Sequence, residues 1–209
     1  LGEGGVRPLS PQFATAINEA CARTGALYIA DEVQTGLGRT GYPFYAQTLG
    51  LRPDLMSVGK ALGGGVPIGA ALVSERVAQA VSAGDHGSTY GGNLMATRAA
   101  VFVLDQLMGG LIDHVKTVGA HFERSLGALV LRHPSVVEAR GVGLMRAIQL
   151  RIDATPVVDT ARDRGLLVNR TDGMVVRLLP ALTVETADID RAVDVLDGVL
   201  TAVGPEAQA

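Results

Sequence analysis

The chain is 209 residues long, 47% hydrophobic, 19% charged and of positive mean hydropathy, enough to bury a sizeable core in one large or two small domains. A net charge of −3, with no basic block and no interleaved aromatics, excludes the footprint of a nucleic-acid binder. No apolar run in the sequence approaches the roughly 20 residues of a membrane span, the opening LGEGGVRPLS carries no targeting pattern, and the one cysteine, Cys21, rules out an internal disulfide. These features lead us to expect a cytoplasmic protein that handles small molecules, with Cys21 as a small buried apolar residue.

The chain opens in a glycine-rich stretch with no strand before it, which we read as a start in mid-fold. Ser10 as cap, Pro11 at the first helical position and Gly25 as stop predict a helix over SPQFATAINEACARTG. ALYIADE reads as a buried strand that ends in two carboxylates, Asp31 and Glu32. PDLMSVGK reads as a second strand ending at Lys60, and IGAALVS as a third. A helix over ERVAQAVSAG is expected next, then the polar turn GDHGSTYGGN and the helix LMATRAAVFVLDQLM. This alternation is α/β in class.

After Gly109 and Gly110 the texture changes. A long helix to about Arg132, the strand-like SVVEARGVGLMRAIQLRI, a short helix, and the strands LLVNR and MVVRLLP predict a smaller α+β domain over 109–209. In its last helix Ile189, Ala192, Val193, Leu196, Val199, Leu200 and Val203 recur at three- and four-residue steps, with Thr186 as the expected cap and Asp188 and Asp190 in the first turn.

Lys60 stands out chemically. Only two of the 18 Lys+Arg residues are lysines, Lys60 and Lys116, so arginine is the default cation here. Guanidinium stays protonated at biological pH, whereas a desolvated ammonium gives up its proton and becomes a nucleophile. A lysine at one strand end, the acid Asp31 at another, and the hydroxyls of Ser88 and Thr89 on a glycine-rich turn are the parts needed to hold pyridoxal 5'-phosphate. Each part alone is common in α/β proteins.

Taken together, ALYIADEVQTGLGRTG, LMSVGKALGGGVPIGA and HGSTYGGN resemble the signature stretches of the class III pyridoxal-phosphate aminotransferases. GEGGV and RLLPAL are similar to the acetylornithine branch of that family, which serves arginine biosynthesis. The resemblance runs through the whole chain yet covers only the C-terminal half of a family member. It implies a fold type I pyridoxal-phosphate transferase in which 1–108 is the C-terminal part of the large mixed-sheet domain and 109–209 the small α+β domain.

The resemblance also implies roles. Lys60 would carry the cofactor covalently, Asp31 would face the pyridine nitrogen, Val33 would pack on the ring and Gln34 would reach the phenolic oxygen. Ser88 and Thr89 would serve the phosphate, with Thr89 serving that of the other subunit in a homodimer with shared sites. Arg177 would bind the α-carboxylate of glutamate, and Glu3 would pair with it when an ω-amine occupies the site. The implied reaction moves an ω-amino group from N-acetylornithine to 2-oxoglutarate, giving an aldehyde and glutamate. Ornithine, succinylornithine and 4-aminobutyrate are alternative donors, and a non-catalytic fragment is an alternative outcome.

The remaining candidates read as structural. His86, His114, His121 and His133 form no metal-ligand spacing, and Lys116 follows Asp113 by three residues on a solvated face. Gly141 to Met145 reads as a tight turn. A nucleotide-driven switch would need a phosphate loop, but Lys60 is followed by Ala61 and position 54 is Asp, not Gly.

Overall fold

The computed structural model describes residues 2–204. They form two compact units, Leu9–Ile112 and Asp113–Ala209 joined by Leu1–Pro8.

In the first unit α1 (Pro11–Thr24) starts as its sequence dictates. The Ser10 hydroxyl accepts from the Phe13 amide at 3.2 Å, and Gly25 closes the helix in the left-handed region at φ 71. A three-stranded sheet comes next, in the order β1 (Ile29–Asp31), β2 (Leu55–Val58), β3 (Ala70–Val73). β1 and β2 are parallel and β3 is antiparallel to β2. α2 (Tyr45–Thr48) lies between the first two strands in sequence.

α3 (Glu75–Ala78) is one turn long, shorter than expected. Val81, the next large apolar residue of the predicted helix, is 45% exposed, so continued helix would bury little there. Asp85 instead accepts from the Ser82 amide at 2.6 Å, a local turn that competes with helix.

α4 (Leu94–Gln106) runs through a wide-turn segment, Leu107–Leu111, into α5 (Ile112–Arg132). The run Leu94–Arg132 is, by length and composition, apolar enough to cross a membrane, which corrects the expectation that no such run exists. The apolar window itself is 17% buried; Gly110 at φ 118 breaks the helical path, and beyond it Val115, Val118, Phe122, Leu126 and Leu129 of α5 are buried in a core.

That core belongs to the second unit. Its antiparallel sheet has the order β4 (Val136–Val142), β5 (Met145–Leu150), β7 (Val175–Leu178), β6 (Asn169–Thr171), with α6 (Thr155–Asp163) and α7 (Thr186–Val203) completing it. Val142 pairs with Met145, so Gly143 and Leu144 form the predicted tight turn. A side chain at Gly119 of α5 would stand 2.9 Å from the Gly143 backbone, so only glycine lets the helix approach the hairpin this closely. Neighbouring residues of β5 and β7 alternate between faces. Ile148 and Val176 join the main core, while Ala147 and Val175 meet Met145 and Val6 on the opposite face.

Val6 is 1% exposed, so the first residues cover a sheet face that would otherwise be wet. Arg140 Nε donates to the Gly5 carbonyl at 2.7 Å, and the Thr171 hydroxyl donates to the Glu3 carbonyl. At the other end of the unit, the α7 cap is Glu185 instead of Thr186. Glu185 and Asp188 form a reciprocal capping box, and Thr186 is the first helical residue. The stripe itself is buried at Ile189, Val193, Leu196, Val199 and Leu200.

Candidate active site

Asp31 ends β1 and is paired in register with Ser57 of β2. One carboxylate oxygen, Oδ1, accepts from both the Ser57 hydroxyl at 3.0 Å and the Val33 amide at 3.1 Å. Oδ2 accepts nothing among the described residues, and the side chain faces solvent. A carboxylate oriented through one oxygen with the other open is prepared to meet a cation or a protonated ring nitrogen.

Glu32, the second acid of the pair, points the other way because side chains alternate along a strand. It is 3% exposed and accepts from the Ala46 amide at 2.7 Å and from the Thr35 hydroxyl. Burial pushes the Tyr45 and Tyr28 phenols above their ordinary range, and the Glu32 carboxylate adds to both. Glu32 therefore organises the glycine-rich turn from within.

Lys60 stands two residues past the end of β2, three beyond Ser57, and is exposed. Its φ is 45, in the left-handed region that costs a non-glycine residue about 1–3 kcal/mol. Its ammonium makes no hydrogen bond or ion pair among the described residues. The residues just downstream impose the strain: Lys60–Gly63 is a single tight turn, with Gly64 at φ 56 and Gly65 at φ 111, and a side chain at Gly63 would meet Ile68 Cγ2 at 2.8 Å. Val33 reaches the same strand end, its methyls 3.7–3.9 Å from where a Gly59 side chain would begin. Val33 and Gln34 are both half-buried on the turn after β1.

Ser88 and Thr89 are placed differently. Every residue from 79 to 95 is exposed, and no hydrogen bond joins Ser88 or Thr89 to Asp31 or Lys60 among the described residues. The turn is held locally, by the Gly91 amide on the Ser88 carbonyl and the Asn93 amide on that of Tyr90, and Asn93 then caps α4.

Glu3 and Arg177 lie together on the second unit. Arg177 Nη1 donates to Glu3 Oε1 at 2.6 Å, with the arginine side chain 12% exposed and the glutamate 80%. Arg177 Nε is buried and has no hydrogen-bond partner among the described residues. An unpaired buried guanidinium nitrogen is costly, and a carboxylate ligand would satisfy it.

Other residues resolve into structure. His114 bonds the Val184 carbonyl at 2.9 Å, His121 meets Asp190 at 2.6 Å and His133 meets Asp197 at 2.8 Å. No cluster able to hold a metal ion occurs among the described residues. Lys116 pairs with Asp113 at 3.0 Å, and Cys21 is half-buried where a buried position was expected. Sequence inspection missed Ser57, whose signal was its strand parity with Asp31, and Thr171 and Arg140, which carry no local signal because they act on residues far off in the chain.

The family model "Aminotransferase class-III" matches residues 1–200. This chain belongs to the class III aminotransferases. Acetylornithine aminotransferases of Aquifex aeolicus and Methanothermobacter thermautotrophicus are each 43% identical to it, over 95% and 96% of its length. Among solved structures, Plasmodium falciparum ornithine delta-aminotransferase superimposes with a TM-score of 0.90 at 32% identity over 98% of the chain. A PLP-bound amine transaminase from an uncultivated Pseudomonas species gives 0.90 at 33% over 97%. This class III chain spans about half the length of these relatives: 51% and 52% of the two enzymes, 54% and 50% of the two structures.

Proposed function

We propose that this chain contributes to pyridoxal-phosphate-dependent transfer of an ω-amino group, from N-acetylornithine to 2-oxoglutarate, within a protein of the length of its relatives. The observation that carries the proposal is Lys60, exposed, unpaired among the described residues and held at φ 45 two residues past the end of β2, beside the strand whose end presents the open oxygen of Asp31. Strain retained at a solvent-facing lysine makes sense where the amine must be aimed.

The residues fit the cofactor. Asp31 would hold the pyridine nitrogen protonated, Val33 would lie against the ring, Gln34 would serve the phenolic oxygen, and Ser88 and Thr89 would receive a phosphate. Pyridoxal phosphate, when bound, supplies an electron sink for the carbon that bears the amine. Lys60 would attach it and, once displaced by substrate, would carry the proton to and from that carbon as general base and acid. Arg177 would receive the carboxylate of 2-oxoglutarate with its planar fork, Nε included. Glu3 would neutralise Arg177 while the donor's amine end occupies the site, and would swing away when a carboxylate arrives.

A homodimer with shared sites is part of the proposal: the full exposure of the 79–95 segment suits hydroxyls that serve a neighbouring subunit. The names of the curated relatives support N-acetylornithine as donor. Ornithine is the second reading, favoured by the fold likeness to ornithine delta-aminotransferase.

The test is the visible absorbance of the chain with pyridoxal phosphate, beside that of Lys60→Ala, followed by borohydride reduction and peptide mapping. A band whose reduced label maps to Lys60 and is missing from the variant is expected. A label on any other residue would refute the assignment. Rates with N-acetylornithine and ornithine in the complete protein then choose the donor.

A further inference from the structure

Thr171 of β6 stands opposite Val175 of β7, and Arg177 follows Val175 by two residues, so all three side chains share one face of the sheet. Arg140 of β4 is on that face too, since it pairs with Ala147, which in turn lies opposite Arg177. The segment 3–7 rests against this face and is tied to it at alternate residues. The Thr171 hydroxyl donates to the Glu3 carbonyl, and Arg140 Nε donates to the Gly5 carbonyl at 2.7 Å. Val6, between Gly5 and Arg7, is buried against Met145, Ala147 and Val175.

The ties are tight. A side chain at Gly5 would stand 2.9 Å from Arg140 Nη2 and 3.3 Å from Asp172 Oδ2. Val6 takes φ 52, a conformation that a β-branched residue enters only when its surroundings impose it. Arg140 is itself held, with Nη1 donating to Glu138 and Nη2 to Gln149. Against this fixed backbone the Glu3 side chain is 80% exposed, while that of Arg177 is 12% exposed. One partner of the ion pair has room to turn and the other does not. An exposed pair is weak because ordering a long side chain costs entropy, and a fixed backbone lowers that cost.

We infer that Thr171 and Arg140 are positioning residues for the Glu3–Arg177 gate: they fix the backbone at residues 3 and 5, so that Glu3 closes on Arg177 and leaves it by side-chain rotation alone. The gate belongs to the proposed function, on which this inference rests. Both residues act through Glu3. Without the Thr171 hydroxyl, Glu3 loses its place and Arg177 stands open more of the time. A dicarboxylate acceptor then binds more tightly, and the amine end of the donor less tightly.

The experiment compares Thr171→Val, Thr171→Ser and Glu3→Ala by two readouts. In the complete enzyme, Thr171→Val should lower the KM for 2-oxoglutarate and raise that for N-acetylornithine, each about 3- to 10-fold, the worth of one hydrogen bond. Thr171→Ser keeps the hydroxyl and should match the wild type, whereas Arg140→Met, which cuts the second tie, should act in the direction of Thr171→Val. In a Glu3→Ala background Thr171→Val should change neither value by more than twofold. In this chain, the Arg177 Nε–H resonance, assigned through Arg177→Lys, should move in Thr171→Val most of the way to its position in Glu3→Ala. Two KM values that rise together, or an undiminished effect of Thr171→Val without Glu3, would overturn the inference and leave Thr171 a support of the fold. Glu3→Ala without effect on either KM would sink the gate instead, and the resonance would still decide whether Thr171 places Glu3: an unmoved signal in Thr171→Val would overturn that as well.

Discussion

Under the proposed function two demands meet at Lys60: an amine for chemistry and a left-handed backbone that glycine would adopt without cost. Comparison of two variants separates them. Lys60→Gly and Lys60→Ala both lack the amine, but Lys60→Gly should be the more stable by about 1 kcal/mol, read from urea midpoints. Equal midpoints would mean that the turn carries no strain. At Arg177, replacement by lysine keeps the charge and loses the fork, so the KM for 2-oxoglutarate in the complete enzyme should rise about 10- to 100-fold, with a smaller change in the ω-amine half-reaction. Asp31→Asn should lower kcat by about a hundredfold while leaving the fold intact, since its partners Ser57 and Val33 can still donate to the amide oxygen. Far-ultraviolet circular dichroism of the variant checks the second half of that statement.

Helix ends and close approaches govern stability among the elements. In the α7 capping box, the Arg191 side chain and then the Glu185 amide hold the Asp188 carboxyl below its ordinary value. The lowered value means that this contribution is present above about pH 4 and is lost as pH falls through the folded-state value. Asp188→Asn should therefore melt below the wild type near pH 6, with the gap closing toward about pH 3. A gap that persists at low pH would show that the carboxylate's charge is not its cause. Gly119→Ala should cost about 1–3 kcal/mol, because the new methyl has no room against the Gly143 backbone. Such contacts explain what could be read from the sequence. The caps of α1, the apolar stripe of α7, the strand end at Asp31 and the placement of Lys60 just past β2 are written within a few residues of where they act. Glu3 and Arg177 were legible only through resemblance, since their 2.6 Å contact joins positions 174 residues apart. The brevity of α3 and the switch of the α7 cap from Thr186 to Glu185 depend on packing and on a reciprocal bond, which no single residue announces.

For the whole molecule, the closed core of the second unit and the exposed large apolar side chains that lie mostly on the first predict unequal resistance to attack. The stretch 79–93, exposed throughout and without regular structure, should be the first cut in limited proteolysis. The second unit should survive as a discrete fragment from Asp113 onward, and first cuts inside α5 or β5 would contradict a closed core there. The scarcity of lysine has a consequence of another kind. With two side-chain amines in 209 residues, Lys116 in an exposed pair with Asp113 and Lys60 exposed and unpaired among the described residues, an amine-directed acylating reagent has few positions to label on this protein. Peptide mapping after brief labelling would report whether Lys60 is open or covered, so the proposed site, which spectroscopy sees only when occupied, can also be tracked while empty.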